Sequence, residues 1–148
     1  MARSWEAVKD VTLPGGKPAV GPYVGRIIAA VTERLIPEGG ELPLAAPDTV
    51  AYRFLARYLR DQEPVARLAL KALFIIFDLA PVLFIGRLSR FVNLSPLVQD
   101  LYLADWGASR IYYRRMTLVL LKTLTGMGYY NDPQVLAHIG FNLPCGAR

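Results

Sequence analysis

One stretch of the sequence, residues 66–86, constrains the fold more than any other. It reads ARLALKALFIIFDLAPVLFIG, and after Arg67 its only charged residues are Lys71 and Asp78. On a helix with about 100° per residue, both lie within about 40° of Arg67, so the three form one narrow polar stripe. A helix that is apolar on nearly every other side must be buried in a bundle, in lipid or against a partner protein.

Capping and breaking residues divide the rest of the chain into further helices. The predicted N-caps are Asp48, Ser95 and Asp132. Pro81 is expected to kink or interrupt the central helix, with a long helix to about residue 79 and a short second segment after it. Gly126 and Gly128 are expected to end the fifth helix. No segment alternates with the period of a strand. The predicted fold class is therefore all-α, an irregular bundle of about five or six helices around the central apolar one, with helices over residues 23–36, 49–61, 64–79, 95–106, 110–125 and 132–140.

The first 22 residues are predicted to form a separate extended arm. Six prolines and glycines fall within residues 14–22, which excludes a regular element there. We expect this arm to lie along another protein, anchored by Trp5, and residues 23–148 to form the helical domain. A disordered tail is the alternative interpretation of the same residues.

Composition points to a surface that something else covers. Hydrophobic residues make up 53% of the 148-residue chain, against about 45–50% in an average globular domain. The net charge of +5 favours an acidic partner, an anionic membrane surface or nucleic acid. The central apolar run is nearly long enough to span a bilayer, but its charges and its proline oppose insertion. Peripheral membrane contact stays open as an alternative.

The sequence offers little catalytic chemistry. The chain has one histidine, His138, and one cysteine, Cys145, seven residues apart. We interpret them as a surface histidine and an incidental thiol, and we expect no catalytic, cofactor-binding or metal-binding residue in this chain. A Cys–His nucleophile pair in a stand-alone enzyme is the alternative. Basic residues lie on the second and fifth helices, with aromatic residues among those of the fifth, which suits a solvated face or an acidic protein partner. We do not expect nucleic-acid binding.

The N-terminus gives an expectation for location. Its first ten residues, MARSWEAVKD, contain neither an apolar run nor a pair of arginines. We therefore expect a cytoplasmic protein, located at the inner face of the membrane if it contacts lipid. Export is expected only if a partner carries the chain across.

From Ile28 to Leu143 the order of motifs resembles the gluconate 2-dehydrogenase subunit 3 family, together with related small subunits and N-terminal segments of GMC-type flavin oxidoreductases. The similar features are an opening helix ending in LIPEGGELP, an apolar helix ending in LAPVLFIGRLSRF, a helix that begins at LSP and reaches Trp106, and a closing GYYNDPQVLAHIGFN. The last motif is the most specific of the four.

This resemblance implies a non-catalytic helical subunit that forms a heterodimer with a large FAD-dependent dehydrogenase or oxidase. The FAD would be in the partner, and an apolar alcohol or a sterol would be the substrate. Aromatic side chains usually dominate such interfaces. We predict nine of them as interface residues, although each also suits the core: Trp5, Phe84, Phe91, Trp106, Tyr112, Tyr113, Tyr129, Tyr130 and Phe141.

Overall fold

The computed structural model describes residues 8–40, 42, 44, 45, 50–84, 86 and 88–141, except for the side chain of Phe84. Within these residues all regular elements are helices and there is no β-strand, which confirms the predicted fold class. A short 3₁₀ turn, Phe91–Asn93, separates the first three helices from the last three. We number the α-helices in chain order as α1 (Pro22–Leu35), α2 (Ala51–Asp61), α3 (Pro64–Phe84), α4 (Pro96–Ala108), α5 (Tyr112–Tyr129) and α6 (Pro133–His138).

The helices share a single hydrophobic core. α1 lies against α3, while α5 packs mainly against α2 and α4. Ile27 of α1, Leu55 of α2 and Leu121 of α5 are almost completely buried in the same cluster. Such close-packed burial is the main source of stability in a domain of this size.

The segment before α1 packs on this chain over its described length. Val8, Val11, Ala19 and Val20 are buried in the common core. An isolated antiparallel bridge holds the segment in a tight turn, in which the Ala19 amide donates to the Val11 carbonyl at 2.8 Å. The absence of a helix from residues 8–21 agrees with the density of prolines and glycines. Trp5, the predicted anchor of the arm, lies outside the described residues.

The predicted interruption of α3 is wrong, because the helix continues through Pro81 to Phe84. Proline has no N–H, so it cannot donate to the carbonyl four residues before it, which here belongs to Phe77. The Tyr102 hydroxyl of α4 donates to that carbonyl at 3.1 Å. A side chain from another helix therefore satisfies the acceptor that Pro81 leaves unpaired.

The predicted end of α5 is also wrong, because the helix contains both Gly126 and Gly128 and ends at Tyr129. At Gly128 the reason is close packing against α2. A Cβ atom there would lie 3.0 Å from the Ala51 carbonyl oxygen and 3.2 Å from the Phe54 ring. Gly128 thus allows close approach of two helices and does not terminate one of them.

The predicted cap of the last helix is confirmed, and it also serves a second helix. Asp132, 3% exposed, accepts a hydrogen bond from the Gln134 amide at the start of α6. Its other carboxylate oxygen accepts from the Val50 amide, immediately before α2, at 2.8 Å. One carboxylate therefore satisfies N-terminal donors of two helices that lie far apart in sequence. Asp48, the predicted cap of α2, lies outside the described residues.

No helix among the described residues combines the length and the apolarity that crossing a bilayer requires.

Candidate functional site

The polar stripe of α3 faces the protein interior. Arg67, in the second turn, donates three hydrogen bonds to backbone carbonyls at the end of α2 and just beyond it. They go to Leu59 at 2.9 Å, Arg60 at 2.8 Å and Gln62 at 2.7 Å. A guanidinium is well suited to this position, since the last carbonyls of a helix lack intrahelical partners and carry partial negative charge.

Asp78 also belongs to this stripe and is completely buried. It accepts a hydrogen bond from the Tyr23 hydroxyl of α1 at 3.1 Å and one from the Val92 amide of the 3₁₀ turn at 3.0 Å. The Arg90 guanidinium lies 5.1 Å from the centre of the Tyr23 ring. Through its two hydrogen bonds, Asp78 joins α3 to α1 and to the 3₁₀ turn. A buried carboxylate needs such partners, because an unpaired one would carry a large desolvation penalty.

Lys71 completes the stripe at its solvent edge. Partial burial, and to a smaller extent the neighbouring charge of Arg67, lower the pKa of its ammonium group. Two of the three charged residues of α3 are thus used for contacts within the chain, and the third lies at the boundary of the protein.

The opposite side of α3 is apolar and faces solvent. We call this surface the α3 apolar face, and its large members lie at helical spacing along five turns. Leu68 is 69% exposed, Ile76 64% and Leu83 80%. The full set of large residues on the face is Val65, Leu68, Ile76, Leu79 and Leu83.

The α3 apolar face is long and contains small as well as large side chains. From Val65 to Leu83 the helix rises by about 27 Å along its axis. The small side chains of Ala69 and Ala72 lie between its large ones. Leu88, beyond the end of α3, is 98% exposed. A contiguous apolar surface of this kind is typical of a site that another molecule covers.

An aromatic cluster packs against the buried side of α3. The Phe77 ring lies 5.0 Å from Phe91, 5.3 Å from Tyr102 and 4.8 Å from Trp106, measured between ring centroids, in edge-to-face arrangements. The Arg114 guanidinium lies 5.1 Å from the Trp106 ring centre and pairs with Asp105. Such packing holds the inner side of α3 in place, so the α3 apolar face is presented by a well-supported helix.

A second exposed set of aromatic residues lies on α5 and beyond it. Tyr112 and Tyr113 at the start of α5 are 59% and 79% exposed, and their rings contact each other edge to face. Tyr130 and Phe141 are each 54% exposed. These four residues are open to solvent in the described chain.

The remaining predicted interface residues lie elsewhere. Phe91 and Trp106 are buried in the aromatic cluster, and Tyr129 is 5% exposed, with its hydroxyl donating to the Leu44 carbonyl at 2.7 Å. These three pack within the core of this chain, as the alternative interpretation allowed. Trp5 and the Phe84 side chain lie outside the described residues.

The aliphatic residues of the α3 apolar face are absent from the interface predicted from the sequence. That prediction favoured aromatic side chains and placed α3 among other helices on all sides. The position of the polar stripe was the available signal, since residues opposite Arg67 and Asp78 must face solvent if the stripe faces inward. Sequence alone does not say which side faces inward.

Of the histidine and the cysteine, the structure describes only the histidine. His138 is exposed on the last turn of α6, and Cys145 lies outside the described residues. Among the described residues, no group of three or more histidine, cysteine or acidic side chains is placed to hold a metal ion.

Comparison of the chain with protein-family models, with curated proteins and with solved structures gave no match. The resemblance to small flavoenzyme subunits therefore depends on the sequence motifs alone.

Proposed function

We propose that this chain is a non-catalytic accessory subunit that binds a larger protein through the α3 apolar face. The larger protein would be a FAD-dependent oxidoreductase of the GMC type that acts on an apolar alcohol or a sterol. The FAD and the reacting groups would belong to that partner.

A single observation carries the binding part of this proposal: α3 directs two of its three charged side chains inward and its aliphatic side chains outward. Arg67 and Asp78 have partners inside the chain, whereas Leu68, Ile76 and Leu83 are mostly exposed. Burying one such side chain is worth about 1.5–3 kcal/mol. A partner that covers the whole row would therefore gain several times that amount before the costs of association are subtracted.

The shape of the face favours a protein over a lipid surface. Ala69 and Ala72 are smaller than the leucine and isoleucine side chains around them, and such a mixture of sizes suits the ridge-and-groove packing of another helix. Lipid chains do not require such a shape. The exposed aromatic residues Tyr112 and Tyr113 add anchors of the kind that enrich protein interfaces.

The identity of the partner comes from the resemblance to small flavoenzyme subunits. The motifs LIPEGGELP and GYYNDPQVLAHIGFN are similar to those of subunits that assemble with GMC-type flavoproteins. A suitable candidate is the product of a neighbouring reading frame that begins with the G-x-G-x-x-G dinucleotide fingerprint.

The test is co-expression of the chain with that candidate, followed by size-exclusion chromatography monitored by flavin absorbance. The unmodified chain should co-elute with the flavoprotein. Ile76→Glu and Leu83→Glu should each weaken the complex about 100-fold, since a buried unpaired carboxylate costs about 3 kcal/mol. Gln134→Glu, which adds the same charge at an exposed position of α6, should leave the complex intact and is the matched control.

Two results would overturn the proposal. One is separate elution of the chain and the flavoprotein under conditions where both are folded. The other is flotation of the chain with phosphatidylcholine–phosphatidylserine vesicles, lost in Ile76→Glu, without any flavoprotein complex. That outcome would assign the α3 apolar face to a membrane surface.

A further inference from the structure

A cleft lies on another part of the molecule, between the loop after α1 and the last turns of α5. Its volume is about 440 Å³, within the range of about 300–1,000 Å³ that is usual for small-molecule sites. Its walls are aliphatic and include Leu35, Ile36, Leu42 and Leu44. The hydrogen bond from the Tyr129 hydroxyl to the Leu44 carbonyl holds the loop against α5.

Gly126 contributes to the inner surface of this cleft. It lies inside α5, where glycine is less favourable than alanine by about 1 kcal/mol. Gly128, two residues later, is explained by contact with α2, but a Cβ atom at Gly126 would meet nothing within 4 Å. Packing within the described chain therefore does not require a glycine at this position, and the space that a side chain would fill remains part of the cleft.

Among the described residues that line the cleft, Lys122 is the only charged one. Lys122 lies one helical turn before Gly126 and lines the cleft with its exposed side chain, while Tyr130 lines it one turn after Gly126. The described lining residues include no acidic side chain. An apolar cleft with one ammonium group and a phenol at its rim is complementary to an apolar chain that carries a single anionic head group.

We infer that this cleft binds a small anionic amphiphile, with its apolar chain between the aliphatic walls and Gly126 and its carboxylate on Lys122. The cleft is separate from the α3 apolar face, and the inference does not depend on the proposed function.

The test is calorimetric titration of the full chain with decanoate, decanol and decylammonium, all below their aggregation concentrations. Decanoate should bind at one site, with an affinity at least tenfold above that of decanol, and decylammonium should bind more weakly still. Lys122→Met should lower the affinity for decanoate about tenfold, because the charge-assisted hydrogen bond is lost. Lys17→Met, which removes an exposed lysine that does not line the cleft, is the charge-matched control and should have no effect.

Gly126→Leu tests the location independently of charge. The new side chain enters open space, so the variant should keep its helical circular dichroism and lose decanoate binding. Ile76→Glu, on the α3 apolar face, should leave decanoate binding unchanged. Equal binding of all three amphiphiles, undiminished binding to Gly126→Leu, or loss of binding in Ile76→Glu would each overturn the inference.

Discussion

The pairing of Pro81 with Tyr102 makes a specific energetic prediction. Tyr102→Phe removes the hydroxyl that donates to the Phe77 carbonyl at 3.1 Å and leaves that buried acceptor unpaired. An unsatisfied buried acceptor costs about 1–3 kcal/mol. We therefore expect the free energy of unfolding to fall by about 2 kcal/mol, although the ring and its packing in the aromatic cluster are retained.

The same loss should be much smaller once Pro81 is replaced. Pro81→Ala restores a backbone N–H that can donate to the Phe77 carbonyl, and by itself it should stabilise α3 by up to about 3 kcal/mol. In that background Tyr102→Phe should cost only about 0.5–1 kcal/mol. The double-mutant cycle should thus give a coupling energy of about 1 kcal/mol or more between two residues that belong to different helices.

The measurement is urea unfolding followed by far-ultraviolet circular dichroism for all four combinations. Each would carry Leu68→Glu, which lies more than two turns from Pro81 and reduces self-association through the α3 apolar face. If Tyr102→Phe costs the same amount with and without Pro81, the hydroxyl does not replace the missing helical donor. The continuity of α3 through Pro81 would then need a different cause.

Three further predictions concern single positions. Gly128→Ala should lower the melting temperature, because the new Cβ would lie 3.0 Å from the Ala51 carbonyl oxygen, whereas Gly126→Ala should leave it unchanged or raise it. Asp132→Ala should cost about 1–3 kcal/mol in urea unfolding by removing the caps of α2 and α6, and Asp132→Asn, which keeps an acceptor oxygen, should cost less. Burial raises the pKa of Tyr102 above its ordinary value, so the unfolded chain loses this proton first as the pH rises through about 10, and stability falls. Between pH 8 and pH 11 the unmodified chain should lose about 1.4 kcal/mol more than Tyr102→Phe, and equal losses would contradict this assignment.

Local signals predicted most of the helices. Pro37 follows the observed end of α1 closely, Ser95 and Pro96 stand at the start of α4, and Asp132 caps α6. Each of these signals acts within a few residues of the boundary that it sets. Stereochemistry of this kind can be recognised without knowing what lies nearby in the folded chain.

Contacts between distant residues overrode the local signals where the predictions failed. Pro81 should break a helix, but Tyr102 supplies the missing donor from α4. Gly128 should end one, but it lies against Ala51 of α2, which is distant in sequence. In both cases a residue with poor helix propensity is retained inside a helix because tertiary packing needs it or compensates for it.

The orientation of α3 was beyond sequence analysis for a related reason. Arg67, Lys71 and Asp78 form a polar stripe whether the stripe faces water or the core, and the helical spacing is the same in both cases. What decides the orientation is the presence of complementary groups elsewhere: the unpaired carbonyls at the end of α2, the Tyr23 hydroxyl and the Val92 amide. Once these groups bind the charges, the aliphatic side of the helix is left exposed to water, which is unfavourable for the isolated chain. The α3 apolar face is thus a direct consequence of the hydrogen bonds that Arg67 and Asp78 make inside the chain.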